Sequence, residues 1–130
     1  MEWAADLAVR GALTIQRPAN FRQQFLFCRD PGWAPDHYAV YSNLTARYWD
    51  VDFSGGVYAN APGIADKNQL FEIRRYDSTW WTIKWVGGFR LWSYYVRPNR
   101  TYNWHNPLEA KTDPLTGNHL FRITPTNLLG

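Results

Sequence analysis

Apolar and polar positions alternate along short stretches of this chain and nowhere hold a 3.6-residue period over the length of a helix. The segments "DHYAVYSNLTARYWDV" (36–51) and "STWWTIKWVGGFRLWSY" (78–94) each read as two alternating strands joined by a turn, ending in Trp49 and Trp92. Gly, Pro, Asn and Asp punctuate the chain into such pieces, with nine Gly and eight Pro spread along it. Antiparallel strands joined by tight turns satisfy this pattern. A parallel sheet with crossover helices would need longer connections of helical period.

The strands recur. "NQLFEI" (68–73) returns as "NHLFRI" (118–123), and "QQFLF" (23–27) is an earlier copy of the same core. Phe25, Phe71 and Phe121 are thereby 46 and 50 residues apart. Upstream, "DLAVRGALTIQRP" (6–18) lies on "DVDFSGGVYANAP" (50–62) at a constant offset of 44, with Asp, Gly, an aliphatic and Pro matching. "WSYYVRPNRTYNWHNP" (92–107) is a looser third copy that places Ser93 where Asp6 and Asp50 stand.

A recurrence at fixed period dictates architecture before local structure does. The spacing predicts a single all-β domain over 1–130, built from three repeats of about 43 residues: 6–49, 50–92, and 93–130 joined with 1–5. Each repeat carries four short strands that cannot bury an apolar face alone, so the three close around a shared threefold core. Phe25, Phe71 and Phe121 are its expected layer. The circular arrangement also places the termini together, Leu128 and Leu129 beside Trp3.

These three copies of Gln-x-Phe, the third with His119 for Gln, resemble the ricin B-type β-trefoil lectins, whose hallmark is Gln-x-Trp in every repeat. The resemblance spans essentially the whole chain. Phe replaces Trp throughout, and the cysteines of many members are missing. It implies a β-trefoil with pseudo-threefold symmetry that binds glycans or glycoproteins. Trefoils also occur as protease inhibitors, toxin accessory or receptor-binding modules and other protein-interaction domains, which is the alternative function.

A sugar site needs an aromatic face for the apolar side of a pyranose and fixed polar groups for its hydroxyls. In the resembled lectins these are an Asp after the first strand, an aromatic on the second, and an Asn before the motif Gln, which orients the site. The second repeat matches with Asp50, Tyr58, Asn68 and Gln69, and Asn60 lies two residues from Tyr58 on the same strand face. The competing structural reading has Asp50 capping a turn and Asn68 filling an Asx-turn. The first repeat offers Asp6 and Gln23, but Ile15 or Gln16 stands where the ring belongs and Arg22 replaces the Asn, so it is expected to be weak or dead. In the third, Trp104, His105 and Asn118 are placed to line an altered site lacking the carboxylate.

Composition narrows the rest. Eight Trp, eight Tyr and seven Phe exceed what a core of this size demands, leaving rings such as Trp33 and those of the Trp80–Trp81 pair for a rim, a partner protein or a second copy of the chain. The net charge of +3 is dispersed, without the clustered footprint of a nucleic-acid binder. Cys28 alone excludes an internal disulfide and reads as a buried thiol. The three His form no metal-ligand spacing, and "VGGFR" (86–90) reads as a turn and not a phosphate loop. No catalysis, cofactor or metal is expected. No secretory signal and no apolar run of membrane-spanning length occur, which implies a soluble protein without membrane insertion, cytoplasmic or secreted without such a signal.

Overall fold

The computed structural model describes residues 3–9, 24–42, 46–88, 92–103, 106–116 and 119–125. Ten strands fall within them: β1 (Trp3–Val9), β2 (Gln24–Cys28), β3 (His37–Ser42), β4 (Arg47–Val51), β5 (Gly56–Ala61), β6 (Phe71–Arg75), β7 (Trp81–Trp85), β8 (Tyr94–Asn103), β9 (Asn106–Lys111) and β10 (Phe121–Pro125). A 3-10 turn, Lys67–Gln69, precedes β6. Among the described residues no helix is long and apolar enough to cross a membrane.

Every described strand pairing is antiparallel, as the alternation predicts. Six strands close a ring in the order β1, β2, β3, β6, β7, β10 and back to β1. The ring is a barrel without free edges, so its strands can turn one face inward while the backbone stays bonded. Two hairpins, β4–β5 and β8–β9, leave the ring through β3 and β7 and pair with each other at Gly56↔Glu109 and Val57↔Leu108.

The three phenylalanines of the repeated motif open or lie in barrel strands and are buried, Phe71 and Phe121 fully. Each fully buried Phe contributes roughly 1.5–3 kcal/mol of transfer free energy. Trp49 joins them, edge-on to Phe25 at 5.2 Å and to Phe71 at 5.5 Å. Ile73, Ile83, Val40 and Val96 fill the space between. Cys28 is buried against this core, and burial raises its thiol pKa. The β1–β10 register, Ala5↔Pro125, joins the first and last described strands. Leu128 and Leu129 lie outside the described residues.

The register corrects one alignment made from sequence. Ser42 pairs with Arg47 across β3–β4, and Trp85 pairs with Tyr94 across β7–β8. The second connection (86–93) is four residues longer than the first (43–46), so the strand that follows begins later. Trp92 therefore falls outside β8 and is exposed, while Val96 occupies the inward position that Trp49 holds in β4. Ser93 likewise precedes the strand. The position that corresponds to Asp50 is Arg97.

Candidate functional site

The site predicted around Asp50 begins with the 3-10 turn before β6. Asp66 caps that turn, its carboxylate accepting the N–H of Asn68 at 2.8 Å. The Gln69 side chain answers by accepting the N–H of Asp66 at 3.0 Å, closing a capping box, and the N–H of Ala65 at 2.9 Å. Both bonds fall on Oε1, which leaves the amide nitrogen of Gln69 facing β4. Nε2 donates to Oδ1 of Asp50 at 2.9 Å. The buried Gln thus ties the loop before β6 to the β4–β5 hairpin and holds the carboxylate in one orientation.

Asp50 Oδ1 also accepts the N–H of Val51 at 2.9 Å. Its second oxygen takes no hydrogen bond among the described residues. Beside it lies a depression of about 470 Å³ lined by Asp50, Asn60, Gln69 and the loop from Ala61 to Ala65. Three of the five polar and aromatic residues expected in the second repeat therefore share one pocket. Tyr58 sits directly opposite Asp50 in the β4–β5 register and is half-buried, but it does not line the depression. Asn60 reaches it from the register shift opposite Tyr48 and Trp49, where β5 carries one residue more than β4.

Asn68 turns elsewhere. Its carbonyl accepts the indole N–H of Trp85 at 3.2 Å, and its Oδ1 lies 2.5 Å from where a Cβ on Gly87 would stand. The expectation that Asn68 flanks Asp50 is not met: adjacent residues of a 3-10 turn point to different sides, and Gln69 takes the side of Asp50. Trp104, His105 and Asn118 lie outside the described residues.

The β8–β9 hairpin carries different chemistry at the same register. Arg97 faces Glu109 as Asp50 faces Tyr58. Its guanidinium is nearly enclosed and pairs with Glu109 Oε1 at 2.6 Å and with Asp113 Oδ2 at 2.6 Å. His119, in the place of Gln69, accepts the N–H of Thr116 on Nδ1 at 2.9 Å. That bond puts the proton on Nε2, a buried donor without a partner among the described residues. Burial lowers the imidazole pKa, and the positive charge of Arg97 lowers it further. The sequence alignment missed this cluster because it counted through the longer β7–β8 connection without a gap. Among the described residues no group of three or more His, Cys, Asp and Glu could hold a metal ion.

Neither a protein-family model nor a curated protein sequence matches the chain. Solved structures do. The designed threefold-symmetric protein ThreeFoil superposes with a TM-score of 0.71, at 13% identity, over 93% of this chain and 97% of its own. The BEL β-trefoil in an apo crystal form gives 0.73 at 13% identity, over 96% of this chain and 94% of its own. Cry35Ab1 gives 0.71 at 9% identity, over 98% of this chain and 37% of its own. The closed ring of antiparallel strands, with hairpins extending from it, is a β-trefoil.

Proposed function

We propose that the protein is a carbohydrate-binding lectin in which three repeats of about 43 residues form a pseudo-threefold trefoil, and in which the pocket on Asp50 and Gln69 receives a sugar of a glycan or glycoprotein. The bond from Gln69 Nε2 to Asp50 Oδ1 carries this reading. A carboxylate held by one oxygen presents the other as an oriented acceptor for ring hydroxyls, and Asn60 adds a planar donor and acceptor at the same rim. Lectins share the β-trefoil fold. This reading assigns no catalytic step to the pocket.

A glycan array probed with the labelled protein tests it. Retention of a defined glycan set by the parent, lost in Asp50→Ala with an unchanged circular dichroism spectrum, is the expected result. Equal retention by the variant overturns the site.

A protein-interaction trefoil, such as a protease inhibitor or toxin accessory module, is the second reading. Large exposed rings favour it, Trp92 at 61% and Tyr76 at 55% exposure. Free sugars compete with binding under the first reading and leave it unchanged under the second.

A further inference from the structure

A second depression, of about 370 Å³, opens between the β4–β5 turn and the start of the β7–β8 connection. It has what the Asp50 pocket lacks, an aromatic lining. Trp85 and Tyr94 meet edge to face at 5.5 Å, and Phe53 stands at the rim with its ring wholly in solvent, 106% exposed. A fully solvated Phe at the tip of a hairpin gains nothing for the fold and leaves an apolar face open to a ligand.

The walls are braced. Gly87 and Gly88 pack directly on the rings: a Cβ on Gly88 would stand 2.2 Å from Tyr94 Cδ1, and one on Gly87 would stand 2.8 Å from Trp85 Nε1. Any side chain there would push the rings away. On the opposite wall the turn is tied to β9, Ala110 N–H donating to the Gly55 carbonyl at 2.7 Å. Gly55 has φ of +92°, and a Cβ on it would lie 2.8 Å from the Ala110 carbonyl oxygen. Pinned rings and a pinned turn reduce the ordering a ligand must impose.

Polar groups of both signs complete the lining. Asp52 Oδ1 is saturated by the N–H groups of Ser54 and Gly56, at 2.9 Å each, and by the Ser54 hydroxyl at 2.7 Å. Its other oxygen takes no bond among the described residues. Burial raises the Asp52 pKa, but the bonds from Ser54 and Gly56 outweigh it and hold the carboxyl below its ordinary value, so it is an acceptor at neutral pH. Lys111 donates to the Ser54 carbonyl from the other side of the turn and keeps further N–H donors.

We infer that this cleft is a second pyranose-binding site, with Phe53, Trp85 and Tyr94 as stacking surfaces and Asp52 and Lys111 as acceptor and donor for the ring hydroxyls. Apolar faces beside a fixed acceptor and a fixed donor match a hexopyranose, which is apolar on its axial C–H face and polar at its edge. A purely apolar ligand would leave both charges desolvated without partners. The cleft depends on the carbohydrate reading only for the class of its ligand. The two sites adjoin through one dipeptide: Gln69 holds Asp50, and Asn68 accepts the Trp85 indole N–H.

The test is titration of the ¹⁵N-labelled protein with the methyl pyranosides of glucose, galactose and mannose. The observed signals are the Trp85 indole N–H, assigned by its loss in Trp85→Phe, and the Gln69 side-chain amide, assigned by its loss in Gln69→Glu. We expect at least one sugar to move the Trp85 signal saturably, in the parent and in Asp50→Ala alike, and with roughly tenfold weaker affinity in Phe53→Ala. The fold of Phe53→Ala is checked by its melting temperature, and Lys111→Met provides an independent loss. Movement of Gln69 alone overturns the second site and leaves the Asp50 pocket standing. Movement of Trp85 alone sustains the second site and overturns the first. No movement of either overturns both. A Trp85 titration that disappears in Asp50→Ala overturns the second site, since the signal would then have been relayed through Asn68.

Discussion

Gln69 reaches across 19 residues to place its amide nitrogen 2.9 Å from a carboxylate oxygen of Asp50. Its amide oxygen meanwhile serves two backbone donors. Replacing Gln69 by Glu keeps an acceptor for Ala65 and Asp66 but turns the donor toward Asp50 into a second carboxylate. The variant is expected to be about 1–3 kcal/mol less stable than the parent at pH 7. The repulsion raises the folded-state pKa of the pair above its unfolded value, so the deficit shrinks as pH falls toward about 4 and the pair takes up a proton. Urea unfolding of both proteins across that range checks it, and a deficit independent of pH counts against the contact.

Phe71 lies at 0% exposure with the Trp49 ring edge-on to it at 5.5 Å. Phe71→Ala is expected to cost ~3–5 kcal/mol, because barrel strands bonded on both sides cannot collapse into the space left. Tyr76→Ala, at an exposed position, should stay within about 0.5 kcal/mol of the parent. Thermal unfolding of the two variants checks the contrast.

Arg97 is held by Glu109 and Asp113, with its own side chain 8% exposed. Removing one partner leaves a buried guanidinium undercompensated, so Glu109→Ala is expected to destabilise by about 3–5 kcal/mol. Because the pair is shielded from solvent, the loss should change little between low and high salt. A surface pair would lose its contribution as salt rises, so the salt dependence of the urea midpoint decides between them.

His119 accepts a backbone N–H on Nδ1, which only the neutral ring can do. Its folded pKa lies below the ordinary 6.5, so the unfolded chain binds the proton first as pH falls. Stability from this group is complete above 6.5 and declines as pH drops below that value toward the depressed folded pKa. His119→Gln removes the titrating ring, installs the residue type found at Gln69, and is expected to flatten the decline. Melting temperatures of parent and variant between pH 7 and pH 5 measure it.

The all-β architecture was readable because apolar and polar positions alternate over strand-length segments, and Phe25, Phe71 and Phe121 are buried as expected of core rings. Asp50 and Gln69 were named together from the resemblance to trefoil lectins, and the fold brings their side chains to 2.9 Å of each other. The direction of Asn68 was not readable, because sequence adjacency says nothing about which side of a 3-10 turn a residue faces. Arg97 was hidden by a longer connection between strands. Only the register showed that the chain had advanced four residues before the hairpin resumed. The aromatic cleft is a product of tertiary contact, with Phe53 and Trp85 some thirty residues apart and brought together by the pairing of β5 with β9.

The pairing of β1 with β10 has a consequence for synthesis. On the ribosome Trp3–Val9 emerges and then waits for its partner, Phe121–Pro125, until more than a hundred further residues have been made. Until then the nascent sheet carries an open seam that can recruit another molecule's strand. Final sealing requires a contact between residues more than a hundred positions apart, a slow loop-closing event. Speeding that step, or shielding the seam while it waits, is where a chaperone or a circularly rearranged version of the gene would raise the yield of native protein.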